Sequence, residues 1–171
     1  YAQRKVPLKI RGLKKTLEAL QKHFLNDHIW PDFLSIPLAN AQGMSLEYEA
    51  IKVGECYRVD ETTTIEAFPT DHTVPSCGYI VSKEKSAILI AADTYALESA
   101  IECVLSKKAI GSLVIECSFP SALDVLAKTS KHLTPILLFE GLKSLEQRGL
   151  KLYINHLKPS YVEQITEEIQ T

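Results

Sequence analysis

Hydrophobic and polar positions recur with two periods along this chain. Over Leu8 to Phe24, the apolar residues Leu13, Leu17, Leu20 and Phe24 stand at helical spacing with Lys and Glu opposite them, which predicts a helix. Residues 26–31 (Asn-Asp-His-Ile-Trp-Pro) end or bend it, because Pro31 disfavours a helical residue before it. Another turn fits between Asp32 and Leu38. The period then shortens. Leu46 to Val53 alternates in part and reads as a strand, with Gly54-Glu55 as its turn. Cys56–Val59 and Thr62–Phe68 are rich in β-formers. The stretch from Phe68 to Thr94 reads as strand, His72, turn, strand, charged turn at 83–85, strand, Asp93. Gly78 lets backbone pack closely there.

Beyond Asp93 the helical period returns. Leu97, Ala100, Ile101, Val104 and Leu105 predict a helix over Tyr95–Lys108, with lysines at its C-terminal end and Gly111 as its stop. Ser112–Cys117 reads as a buried strand. Ser121 offers an N-cap for a helix over Ala122–Thr129, and Pro135 opens another over 136–147, ended by Gly149. A strand over 150–155 and a helix over 161–170 close the chain. From Ser86 the order is β-α-β-α-α-β-α, after a mostly β first part. That predicts an α/β layered sheet with antiparallel or mixed pairing in its first half. No repeat or linker divides it, so one domain over 1–171 is expected.

Composition narrows the function classes. Hydrophobic residues make up 46% and charged residues 23%, as in ordinary globular proteins. A net charge of −2 provides no basic footprint for a nucleic-acid partner. The apolar runs are too short for a membrane span. No apolar stretch follows residues 1–7, so no secretory leader is expected. A start without Met that runs into a helical pattern raises the expectation of a fragment. The four cysteines, at 56, 77, 103 and 117, form no C-x-x-C pair. Buried free thiols, and with them a reducing, cytoplasmic compartment, are expected.

Five polar groups stand at the ends of apolar strands or in the loops after them: His72, Asp93, Glu116, His132 and His156. Ligands on an α/β scaffold gather at such a sheet edge. Imidazoles with a carboxylate suit Zn²⁺, Mn²⁺ or Fe²⁺. Plainer roles compete for each. Asp93 could cap the following helix, Glu116 could face solvent, and His132 could sit exposed in an interhelical turn. His23 and His28 read as solvated or capping residues, and Lys158 as a solvated surface lysine.

The blocks Thr70-Asp-His-Thr-Val-Pro-Ser-Cys-Gly-Tyr79, Ala92-Asp-Thr94, Ile115-Glu-Cys-Ser-Phe-Pro120, Lys131-His-Leu-Thr-Pro135 and Asn155-His-Leu-Lys-Pro159 add a further signal. Their order resembles the class II cyclic-nucleotide phosphodiesterases of the metallo-β-lactamase superfamily, and Trp30-Pro31 is similar to that family's middle segment. The resemblance implies an αββα sandwich of which this chain is the C-terminal part. It implies His72 as a ligand of one metal, Asp93 as the carboxylate bridging two, and His156 as a ligand of the second. His132 would face the scissile phosphate as acid or phosphate ligand, with Glu116 holding its orientation. The implied cofactor is a pair of divalent ions, Zn²⁺ foremost. The implied reaction is in-line attack of a bridging hydroxide on a 3′,5′-cyclic nucleotide, giving the 5′-monophosphate.

Two departures qualify the resemblance. The family's Gly-Asp-Thr is Ala92-Asp93-Thr94, and the H-x-H-x-D-H motif is absent from these 171 residues. The expected partner is therefore the N-terminal half of the same domain or a second chain, a homodimer included, because half a sandwich exposes an apolar sheet face. Two other readings compete: a tRNA 3′-processing nuclease, which the charge does not favour, and a degenerate, non-catalytic interaction module.

Overall fold

Leu13 marks where the first segment changes character. The computed structural model describes residues 5–39 and 42–170; residues 1–4, part of the stretch read for a leader, lie outside them. The helix expected from Leu8 begins only at Lys14. Leu8–Leu13 is instead a strand, β1, followed by α1 over Lys14–His23 and by β2 over Leu46–Ile51. β1 and β2 pair in parallel, from Leu8 opposite Leu46 to Leu13 opposite Ile51. Arg11 and Glu49 face each other in that register, with Nε 2.9 Å from Oε2. The ladder supplies hydrogen bonds that a helical start would have had to find within itself, so pairing overrides the local pattern. α1 packs against both strands and buries Leu17 against Gly12. These elements form one compact unit, residues 1–52.

Residues 53–171 form a second compact unit, although no linker composition announces the division. Its sheet holds β3 (Cys56–Arg58), β4 (Thr63–Pro69), β5 (Cys77–Lys83), β6 (Ser86–Ile90), β7 (Ile110–Glu116) and β8 (Lys151–Asn155), side by side in chain order. The pairs from β3 to β6 are antiparallel and short turns join them. β6–β7 and β7–β8 are parallel. Parallel neighbours need crossovers, and the helices enter at that point. α2 (Glu98–Ser106) joins β6 to β7. α3 (Asp124–Ser130) and α4 (Pro135–Leu142) join β7 to β8, and α5 (Val162–Gln170) follows. The mixed sheet agrees with the order read from the sequence.

Ile80, Leu89 and Leu113 lie side by side across three strands and are buried with Val104, Leu138 and Ile165 from the helices. Fully burying each such side chain contributes roughly 1.5–3 kcal/mol. The opposite sheet face carries Tyr79, Val81, Ile88, Ile90 and Val114, all partly exposed. Gly78 is where two strands need a missing side chain: a Cβ there would lie 2.3 Å from Phe68 Cζ and 2.8 Å from the Ile90 carbonyl.

Three expected signals act differently. Gly111 lies inside β7, and α2 has already ended at Ser106. α2 starts at Glu98 rather than Tyr95, because the Thr94 and Tyr95 N–H groups are bonded to Glu116 and to the Asp71 carbonyl. The Ser121 hydroxyl accepts from Ile136 N in α4, while its own turn has no side-chain cap. Thr134 caps α4 with Pro135 at its first position, and Gly149 closes the following turn at φ +62°. Among the described residues no helix is long and apolar enough to cross a membrane.

Candidate metal centre

Each segment that reaches the C-terminal edge of β6, β7 and β8 ends on a polar side chain, and the loop after β4 joins them. That loop, 70–76, is closed by Thr70 Oγ1 and Ser76 Oγ, 2.6 Å apart. It is tied to the loop after β6: Asp71 N donates to Thr94 Oγ1 at 3.0 Å, and Tyr95 N donates to the Asp71 carbonyl at 2.9 Å. His72 and Asp93 are thereby brought together, with Nε2 3.9 Å from Oδ2. His156, just past β8, reaches the same Asp93 oxygen at 3.5 Å. The His132 ring stands between the other two imidazoles, 5.0 Å from the His72 centroid and 5.3 Å from that of His156.

The environment of each imidazole decides its proton. His72 Nδ1 lies 3.2 Å from the Lys131 carbonyl, which can only accept, so Nδ1 carries the proton and Nε2 offers a lone pair. His132 Nδ1 is 2.6 Å from Glu116 Oε1 and donates to it in the same way. His156 Nε2 faces the Lys158 ammonium at 3.2 Å and accepts from it. All three histidines therefore take the form in which Nε2 can bind a cation.

Glu116 holds this arrangement from below. It is fully buried and receives four donors: Thr94 N at 3.1 Å and His132 Nδ1 at 2.6 Å on one oxygen, Ser118 Oγ at 2.7 Å and Leu133 N at 3.3 Å on the other. A carboxylate so surrounded can stay ionised out of water. The reading of Glu116 as solvent-facing fails, as does that of His132 as exposed, since His132 is 7% exposed and packs edge-on to Phe119. Asp93 caps no helix. His23 and His28 are exposed and belong to the other unit.

Sequence reasoning missed Asp71, Thr94, Ser118 and Lys131. The Lys131 ammonium pairs with Asp71 while its carbonyl orients His72, so one residue serves two of the loops. Three non-glycine residues among or next to the candidate ligands adopt left-handed backbone: Ala92 at φ +54°, Lys131 at +56° and His156 at +57°. Such conformations gather where function over-determines the backbone. They also explain the glycine of the family's Gly-Asp-Thr, which here is Ala92.

The donor set fits a divalent ion. His72, Asp93 and His132 each offer a ligand atom, all within 4.8 Å of one another. Two ligands of a tetrahedral zinc at about 2.0–2.1 Å lie about 3.3 Å apart, close to the 3.5 Å between Asp93 Oδ2 and His156 Nε2. Asp93 and His156 are each partly open to solvent, which would give a cation an entry path.

The four cysteines are free; Cys77 and Cys117 are buried, Cys103 is half-buried, and Cys56 is exposed, contrary to the expectation for that thiol. Burial pushes the Cys117 thiol up to about 12, helped by the Glu116 and Glu168 carboxylates.

This architecture is that of the metallo-β-lactamase fold. Unliganded yeast PDE1 superposes with a TM-score of 0.79 at 22% identity, over 99% of this chain and 55% of its own. The metallo-β-lactamase fold protein YhfI from Bacillus subtilis follows at 0.71 and 18%, over 98% and 60%. The short form of human tRNase Z gives 0.61 and 19%, over 91% and 62%. The chain thus spans a little over half the length of these structures. The family model of the class-II cAMP phosphodiesterases matches residues 2–168, and the chain belongs to that family. No curated protein matches it.

Proposed function

We propose that this centre hydrolyses phosphodiesters and that 3′,5′-cyclic nucleotides are its substrate class. The observation that carries the reading is the buried Glu116–His132 pair set against Asp93, whose Oδ2 meets both the His72 and the His156 rings. Family membership supports the choice of substrate. His72 and His156 would hold one divalent ion each, zinc by preference, and Asp93 would serve both. When bound, such ions activate water and neutralise phosphoryl charge.

The chain's own residues do the rest. Glu116 keeps the His132 proton on Nδ1, so the Nε2 lone pair can accept a proton from water and pass it to the departing oxygen. Lys131 and Asp71 hold the His72 loop in place. The further metal donors come from protein outside these 171 residues, either the N-terminal half of the same domain or a second chain. The enzyme works in the cytoplasm, a compartment consistent with free thiols.

Zinc content and hydrolysis of cyclic AMP, measured on the chain joined to its upstream segment, test this. His156→Ala and Asp93→Ala should abolish turnover and lower metal content with the fold retained. His132→Ala should cut turnover about 10²- to 10⁴-fold with metal still bound. Equal loss of metal in His132→Ala would make it a ligand instead. Absence of any cyclic-nucleotide hydrolysis by the metal-loaded, joined protein would sink the proposal.

A further inference from the structure

Lys158 sits at the mouth of the centre without a counter-ion. Of the other charges there, Asp71 pairs with Lys131, Glu116 receives four donors, and Asp93 faces the His72 and His156 rings at 3.9 and 3.5 Å. The Lys158 ammonium lies 3.2 Å from the neutral His156 Nε2 and 5.9 Å from the centroid of the Phe119 ring. Among the described residues no carboxylate forms an ion pair with it. Its backbone is anchored. Lys158 N donates to the Ser118 carbonyl at 3.4 Å, the Lys158 carbonyl accepts from Tyr161 N at 2.8 Å, and Pro159 follows. A fixed backbone with a flexible four-carbon stem gives the charge a small, defined arc.

We propose that Lys158 is the anion clamp of this site, taking a non-bridging phosphoryl oxygen of a phosphate ester seated at His72, Asp93 and His156. The inference rests on the proposed phosphodiester chemistry and names the residue that selects an anionic substrate. A cation held by His156 would occupy the lone pair that Lys158 now bonds and would repel the ammonium, leaving Lys158 free for another acceptor. A phosphoryl oxygen beside the same cation is the natural next acceptor, because a charge-assisted bond to an anion is stronger than one to a neutral imidazole. A neutral ester or amide supplies no such partner, so Lys158 discriminates by charge.

Calorimetric titration of the zinc-loaded, joined protein with inorganic phosphate and with 5′-AMP tests the clamp. Lys158→Met should weaken both by roughly 10- to 100-fold, the usual worth of a hydrogen bond to a charged group, with zinc content unchanged. Lys158→Arg should stay within about threefold of the parent, since guanidinium also binds phosphate. In the unsubstituted protein, phosphate should slow acylation of Lys158 at least fivefold while leaving exposed Lys9 unchanged. Parental phosphate affinity in Lys158→Met, or loss of zinc in step with phosphate, overturns the inference, as does unprotected acylation. Phosphate binding through Lys158 without cyclic-nucleotide hydrolysis would instead fault the proposed reaction and leave the clamp standing.

Discussion

Replacing Glu116 with glutamine changes little in shape but much in hydrogen bonding. Thr94 N and His132 Nδ1 share one carboxylate oxygen, and Ser118 Oγ and Leu133 N share the other. Whichever way the amide turns, its NH₂ meets one of these pairs. Ser118 can rotate to accept, and His132 can move its proton to Nε2. The backbone N–H of Thr94 or of Leu133 cannot adapt, so one buried donor is orphaned in either orientation. That costs about 1–3 kcal/mol, and losing the charge-assisted bond to His132 raises the total to about 2–4 kcal/mol. Domains of this kind are stable by about 5–15 kcal/mol, so Glu116→Gln should remain folded with a clearly lower urea midpoint. Urea denaturation followed by circular dichroism measures the loss. With the NH₂ on the His132 side, ¹⁵N spectra of the His132 ring should show a shift of the tautomer toward Nε2–H. A stability loss under about 1 kcal/mol together with an unchanged His132 ring would refute the view of Glu116 as the hub of the site.

Other consequences are open to direct measurement. Ala92→Gly should stabilise the chain by about 0.5–1 kcal/mol, as relief of the left-handed alanine at φ +54° outweighs the entropy of a free glycine; a lower urea midpoint would contradict this. Gly78→Ala should destabilise by about 1–3 kcal/mol or more, because its methyl group would overlap Phe68 and the Ile90 carbonyl; an unchanged melting temperature would contradict it. With iodoacetamide at pH 8, mass spectrometry should find exposed Cys56 labelled and Cys117 untouched until the chain is unfolded. The Cys117 thiol, pushed up to about 12, stays protonated as well as shielded, so early labelling there would show that its pocket opens.

Much of the second unit was readable because apolar runs and turn residues agree with its tertiary structure. The β4–β5–β6 meander, the crossovers after Asp93 and Cys117, and the Pro135 and Gly149 helix boundaries all follow from local chemistry. Leu8–Leu13 was misread because its strand character depends on a partner more than thirty residues away, which no short window contains. For the same reason Gly111 looked like a helix stop: its strand is defined by β6 and β8 on either side.

The sequence by itself supplied the chemical inventory of the site, the order of its motifs and the family they resemble. Imidazoles and carboxylates at strand ends have a composition and position that need no coordinates to see. Only the tertiary structure decided which of them meet, which proton each imidazole holds, and which residues hold them there. Those properties depend on distances between loops from 16 to 63 residues apart, such as Lys131 to His72, Glu116 to His132 and Asp93 to His156. Tautomer and charge pairing are set across such gaps by whichever acceptor or donor folding brings within about 3 Å, and a linear pattern carries no record of that encounter.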